Sequence, residues 1–174
     1  SEALRGITSR LPISDEYHHL GFRLSSGRTL ELHTQPLGPR TGWRATEEEV
    51  WGGLVPRADG GIEYLAFPPH VEILLTTVHA AQHLGYRLHW MLDVGRMLGC
   101  HDQEAWSRAL DLSIRWRVSR SFVTGAVAAG SLFAAPLPAS IAEADRSGRG
   151  VRPVADWIVA RMLGGSASIP SQWE

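Results

Sequence analysis

The chain has 174 residues, a formal net charge of −1 and 44% hydrophobic residues. This size and composition fit one ordinary domain, or a small domain with an appendage, and exclude an intrinsically disordered chain. The near-zero charge provides no long-range field for nucleic acid or an anionic membrane, so we expect neither as a partner. The sequence contains no lysine, which excludes a Schiff base to pyridoxal phosphate and a phosphate-loop lysine.

Cysteine usage and hydropathy indicate the compartment. Cys100 is the only cysteine, so an intramolecular disulfide is impossible and we expect a cytoplasmic protein. No apolar run reaches the roughly 18 residues of a membrane span. The first residues lack the basic and apolar regions of a signal peptide. The sequence leaves the oligomeric state open, a homo-oligomer included.

The first third of the chain has the pattern of β structure. Residues 17–24 and 28–35 flank the turn sequence Ser-Ser-Gly at 25–27, which predicts a β-hairpin over 17–35. In the second strand Leu30 and Leu32 share one face, while Glu31 and His33 share the other. A further short strand is predicted over 62–67.

The pattern changes from period two to period 3.6 near Pro68, which predicts that everything beyond this residue is helical. Before that point Thr46 and Glu49 form a capping box that begins a short helix. Asp102 is predicted to cap a later helix, and the polar stretch 143–150 predicts a mobile connection. We therefore predict an α+β fold with a small antiparallel β element in a domain of residues 1–67 and a helical bundle in a domain of residues 68–174.

The densest group of polar side chains lies on the first two long helices. His79 and His83 are four residues apart and share one helix face, which is the spacing of two metal-binding imidazoles. Ala80 stands where a zinc protease needs glutamate, which excludes that class. A metal-dependent hydrolase with Asp93 or Glu72 as third ligand stays open. The alternative is that the histidines form a structural contact between helices.

The second of these helices carries Trp90 and Asp93 three residues apart, so they should share a face. The short connection at 85–86 predicts an antiparallel helix pair, which brings Asp93 toward His79 and His83. On the predicted hairpin, Glu31 can serve as a metal ligand in phosphoryl transfer. The simpler interpretation of Glu31 is a solvated strand residue, because most glutamates are exposed.

Three sequence blocks occur in a characteristic order. They are Leu30-Glu-Leu-His33, the stretch from Leu65 to His83 that ends in His-Ala-Ala-Gln-His, and His89-Trp-Met-Leu-Asp-Val followed by Trp106. Together, over residues 30–138, they resemble the C-terminal portion of a family of uncharacterised bacterial nucleotidyltransferases.

The resemblance implies a polymerase-β-like core that transfers a nucleoside monophosphate from a nucleoside triphosphate to an unknown hydroxyl or amine. In that superfamily an Asp-x-Asp strand follows a glycine turn, and a later strand supplies a third acid for divalent metals. Glu31 matches the third acid, which implies a catalytic residue and a ligand of Mg²⁺. The resemblance further implies that substrate is bound by polar residues of the blocks, namely His33, His79, His83, Trp90 and Asp93.

The sequence departs from the family pattern because no Asp-x-Asp pair follows a glycine turn anywhere in it. We therefore expect either a fragment of a longer nucleotidyltransferase, or a short relative that keeps the helical domain as a non-catalytic binding module. In both cases this chain alone should not transfer nucleotides, and Mg²⁺ would bind only where the full site is present.

Overall fold

The computed structural model describes residues 7–10, 19–33, 35–38, 42–84, 87–148 and 150–164, without the side chains of 7–10, 19, 29 and 31. The chain forms two compact units, Ser1–Thr41 and Gly42–Glu174. Small antiparallel strand groups precede a series of long helices, so the predicted α+β fold is confirmed. The predicted domain boundary at Pro68 lies inside the second unit, where the last strand gives way to the first long helix.

The first unit contains an antiparallel sheet in the order β1 (Ile7–Arg10), β2 (His19–Leu24) and β3 (Thr29–His33). β2 and β3 form the predicted hairpin, and the sequence pattern did not predict β1. In the turn, the Leu24 N–H donates to the Arg28 carbonyl at 2.8 Å. Gly27 has a φ of 79°, the left-handed conformation that glycine adopts without strain.

The register of the hairpin fixes the position of the predicted acid. Leu30 and Leu32 pair with apolar residues of β2, and Glu31 lies opposite Gly21. Leu30 and Leu32 are 40% and 55% exposed. The pairing thus places Leu30 and Leu32 beside Leu20 and Phe22 of β2.

The second unit begins with the predicted capping box. The Glu49 N–H donates to the Thr46 hydroxyl at 3.2 Å, and the Thr46 N–H donates to the Glu49 carboxylate at 2.8 Å. These bonds start α1 (Glu47–Trp51). The same Thr46 N–H and hydroxyl hold the pKa of Glu49 below its ordinary value, because they stabilise the charged carboxylate.

A two-stranded antiparallel ribbon follows, formed by β4 (Val55–Asp59) and β5 (Ile62–Ala66). β5 was predicted and β4 was not. Pro56 of β4 lies opposite Leu65 of β5. Ile62 and Leu65 are 70% and 64% exposed, so the ribbon presents apolar side chains to solvent.

Between residues 69 and 164 the described part of the chain contains helices and no strand, which confirms the prediction for the region beyond Pro68. Among the described residues, no helix is long and apolar enough to cross a membrane. The helices are α2 (Pro69–Gln82), α3 (Leu88–Cys100), α4 (Gln103–Arg115), α5 (Ser119–Phe133), α6 (Ala139–Ser147) and α7 (Val151–Met162).

α6 corrects one sequence-based prediction. Most of the polar stretch 143–150, predicted to be a mobile connection, belongs to this helix. Ile141 is fully buried and anchors α6, while the Ala139 N–H donates to the Gln103 side chain of α4 at 2.8 Å. A single buried residue was too weak a hydrophobic signal to reveal the helix from sequence.

α5 is the central helix of the second unit. Every residue from Phe122 to Gly130 is buried, and the helix contacts α2, α3, α4, α6 and α7. The ring of Phe122 stacks against Trp106 of α4 with centroids 5.8 Å apart. A Cβ on Gly125 would lie 2.6 Å from the Thr77 carbonyl oxygen, so the missing side chain allows α2 and α5 to approach closely.

Candidate functional site

Three rings meet where the last turn of α2 faces the first turn of α3, and we call His79, His83 and Trp90 the ring cluster. His79 and His83 lie one helical turn apart, with centroids separated by 4.5 Å. Trp90 approaches His79 to 5.0 Å edge-on and His83 to 4.3 Å at an interplanar angle of 33°. The structure therefore brings together three of the predicted substrate-binding residues.

Two further side chains border the ring cluster. The His89 ring lies 5.2 Å from Trp90, and the Arg87 guanidinium lies 5.5 Å from the centre of the Trp90 ring, within cation–π range. Arg87 was not among the predicted site residues. The sequence did offer one indication, because Arg87 stands three residues before Trp90. The i, i+3 rule does not apply directly to this pair, however, because Arg87 is the N-cap of α3 and not a residue of the helix itself.

The environment of His83 favours its neutral form. Partial burial of the ring is the larger cause and the Arg87 charge is the second, and both lower the pKa of His83 below its ordinary value of 6.5. Burial removes water from the imidazolium, and a nearby cation repels the added proton. At neutral pH the ring cluster therefore presents an uncharged imidazole.

We expect an NMR titration of the imidazole C–H resonances to place the pKa of His83 below 6.5. The substitution Arg87→Gln should raise this pKa toward its ordinary value, because it removes the second cause of the shift. The histidine signal is assigned by its absence from the spectrum of His83→Asn. A pKa of 6.5 or above in the unsubstituted chain would contradict this account of the site.

The same shift connects His83 to stability. Below pH 6.5 the unfolded chain takes up a proton at His83 more readily than the folded chain. The free energy of unfolding therefore decreases as the pH falls from 6.5 toward the lower pKa that His83 has in the folded chain. The lowered pKa of Glu49 acts in the same direction at lower pH. Comparing the melting temperatures of the wild type and His83→Asn between about pH 7.5 and pH 5 separates the histidine contribution.

Asp93 does not complete a metal site with the two histidines. Among the described residues, no three His, Cys, Asp or Glu side chains lie close enough to hold a metal ion. Asp93 is exposed on α3. In the part of the chain that the structure describes, the three-ligand set that a metal-dependent hydrolase requires is therefore not found. The two histidines contact each other and Trp90 of the next helix through their rings.

The two predicted residues on the hairpin lie on β3. The backbone of Glu31 is described, whereas its side chain lies outside the described part of the chain. His33, opposite His19 at the end of the strand, is exposed. The strand pairing thus places Glu31 opposite Gly21 and His33 opposite His19.

A concavity of about 450 Å³ occurs on the ribbon of β4 and β5. It is lined by Pro56, Arg57, Ala58, Glu63, Tyr64 and Leu65. None of the predicted site residues contributes to it. The concavity is therefore a surface separate from the ring cluster.

The described elements define an α+β protein with a small antiparallel β element and a helical bundle that carries the ring cluster. The model of the family described as uncharacterised nucleotidyltransferase matches residues 4–134. The chain belongs to this family. The match includes β3 with Glu31 and both helices of the ring cluster. No curated protein and no solved structure matches the chain.

Proposed function

We propose that the protein containing this chain transfers a nucleoside monophosphate from a nucleoside triphosphate to an acceptor hydroxyl or amine. Glu31 is the third metal-binding acid of the reaction. Substrate is bound by His33, His79, His83, Trp90 and Asp93. The family match over residues 4–134 is the observation that carries the proposal, because it includes every one of these positions.

The ring cluster supports a binding role for the helical part. Its imidazole and indole rings can contact a planar substrate group and can form hydrogen bonds with it. Arg87 beside Trp90 provides a positive charge suited to phosphate. These chemical properties match a nucleotide better than an uncharged aliphatic substrate.

The described residues by themselves do not fit a magnesium site. Magnesium requires near-octahedral oxygen coordination, and two-metal transfer needs several carboxylates that bridge both ions. Glu31 supplies one carboxylate, and the described part of the chain contains no group of three suitable side chains. The sequence also has no Asp-x-Asp pair after a glycine turn. The proposal therefore requires two further acidic residues, from outside the described residues, to complete the metal site.

We expect the 174-residue chain to show no nucleotide transfer. The purified chain is incubated with Mg²⁺ or Mn²⁺ and each labelled nucleoside triphosphate, and pyrophosphate release and self-labelling are measured. Turnover that disappears in Glu31→Ala would contradict the expectation. It would show that another acid of this chain, such as Asp15 or Glu16, completes the metal site.

The positive part of the test uses the longest natural product of the gene. Transfer activity that Glu31→Gln reduces about 100-fold or more would support the role of Glu31, because metal-assisted charge stabilisation is a large part of such catalysis. Leu32→Ala, next to Glu31 on the same strand, serves as the matched control. Nucleotide binding without transfer in any form of the protein would instead favour a non-catalytic binding module.

A further inference from the structure

The three rings of the ring cluster lie close to one another. The centroid separations of 4.5, 5.0 and 4.3 Å form an acute triangle. Trp90 approaches His83 at an interplanar angle of 33°, whereas His79 meets it edge-on at 61°. His83 as a whole is exposed, so part of its surface stays open to solvent beside these contacts, and we call this part its exposed side.

The chemistry of that exposed side favours a flat, uncharged ligand group. The lowered pKa of His83 keeps the imidazole neutral at pH 7. A neutral imidazole offers a π face, one N–H donor and one nitrogen acceptor. Aromatic rings and guanidinium planes are the groups on which proteins stack unpaired bases. His83, Trp90 and Arg87 supply three such groups within one surface.

We propose that the base of a nucleotide stacks on the exposed side of His83 and extends the existing His83–Trp90 stack. Arg87 adds a positive charge next to Trp90 that also acts on His83, and this charge would attract the phosphates of the same nucleotide. The inference rests on the proposed function, since it assigns the nucleotide to one part of the predicted substrate site. It concerns binding by the helical unit and does not require the metal-binding acids.

The test measures binding by the 174-residue chain with isothermal titration calorimetry. The probes are the four ribonucleoside triphosphates, inorganic triphosphate as a ligand without a base, and the four ribonucleosides as ligands without phosphate. We expect at least one nucleoside triphosphate to bind more tightly than inorganic triphosphate. Equal affinity for all triphosphates, or no binding of any nucleotide, would overturn the proposal.

Two substitutions at one position separate stacking from other contacts. His83→Ala should weaken nucleotide binding about fivefold or more, the effect of losing a base–aromatic stack. His83→Phe should retain most of the affinity, because phenylalanine preserves the stacking surface. Leu88→Ala, at an exposed site on α3, is the control and should leave affinity unchanged. If His83→Phe loses as much affinity as His83→Ala, stacking is not the interaction.

The outcomes distinguish this inference from the proposed function. Nucleotide binding that depends on His83, without transfer by any form of the protein, supports the stack and refutes the transferase. Transfer whose KM does not change in His83→Ala refutes the stack and leaves the transferase intact. Tighter binding of a single-stranded oligonucleotide than of any mononucleotide would overturn the assignment in favour of a nucleic-acid ligand.

Discussion

Trp106→Ala should lower the free energy of unfolding by about 3–5 kcal/mol, the usual loss for truncation of a fully buried aromatic residue. Trp106 has no exposed surface and its ring stacks on Phe122 of the central helix. The substitution removes apolar contact area and leaves a cavity between α4 and α5. Urea unfolding followed by circular dichroism measures the change.

The matched control for this prediction is Trp51→Ala. Trp51 is 42% exposed and contacts Phe67 at 5.6 Å, so its truncation leaves a site that water can fill. We expect a clearly smaller loss there. Equal losses at the two positions would show that α4 and α5 do not form the centre of the core.

Gly125→Ala should also destabilise the chain, although alanine is the better helix former. The new Cβ would lie 2.6 Å from the Thr77 carbonyl oxygen, and a backbone atom of a neighbouring helix cannot move without shifting that helix. Overpacking of this kind costs about 1–3 kcal/mol. The helix propensity of alanine offsets about 0.5–1 kcal/mol of that cost. A net loss of stability is therefore expected in chemical denaturation.

Gly99→Ala provides the comparison with the opposite sign. A Cβ on Gly99 meets no atom within 4 Å, and the residue lies in α3. The substitution should therefore raise stability by up to about 0.5–1 kcal/mol through helix propensity alone. If Gly125→Ala stabilised the chain as Gly99→Ala does, the close approach of α2 and α5 would be refuted.

Local signals were sufficient to predict much of the fold. The capping box was predicted from the pair Thr46 and Glu49, and the N-cap of α4 was predicted from Asp102 alone. The structure contains both. The hairpin over residues 17–35 was predicted from its turn sequence at 25–27, and the long helices were predicted from their apolar spacing. In each case the information lies within a few neighbouring residues, so the rest of the chain is not needed to find it.

The missed elements depend on the rest of the chain. The sequence of β1 has no strand pattern of its own, and this strand forms by pairing with β2. β4 contains Pro56, which weakens any strand prediction from sequence. Both strands are stabilised by their neighbours, and a single-sequence pattern does not show those neighbours.

The arrangement of the candidate site was also only partly predictable. The spacing of His79 and His83 was enough to place them on one face. The rotation of α3, however, is determined by its buried residues Met91 and Val94. Asp93 lies about 100° from Val94 around the helix and is exposed. Packing of the core therefore brings Trp90 to the histidines without forming a metal site with Asp93.

The ribbon of β4 and β5 affects how the protein resists misassembly. In an antiparallel pair, a proline is tolerated where its nitrogen points away from the partner strand. Pro56 therefore removes a donor from the outer edge of β4, and the charged residues Arg57 and Asp59 flank this edge. Natural sheets use both devices against edge-to-edge aggregation. β5 contains no proline, so its outer edge keeps the backbone N–H donors that Pro56 removes from β4.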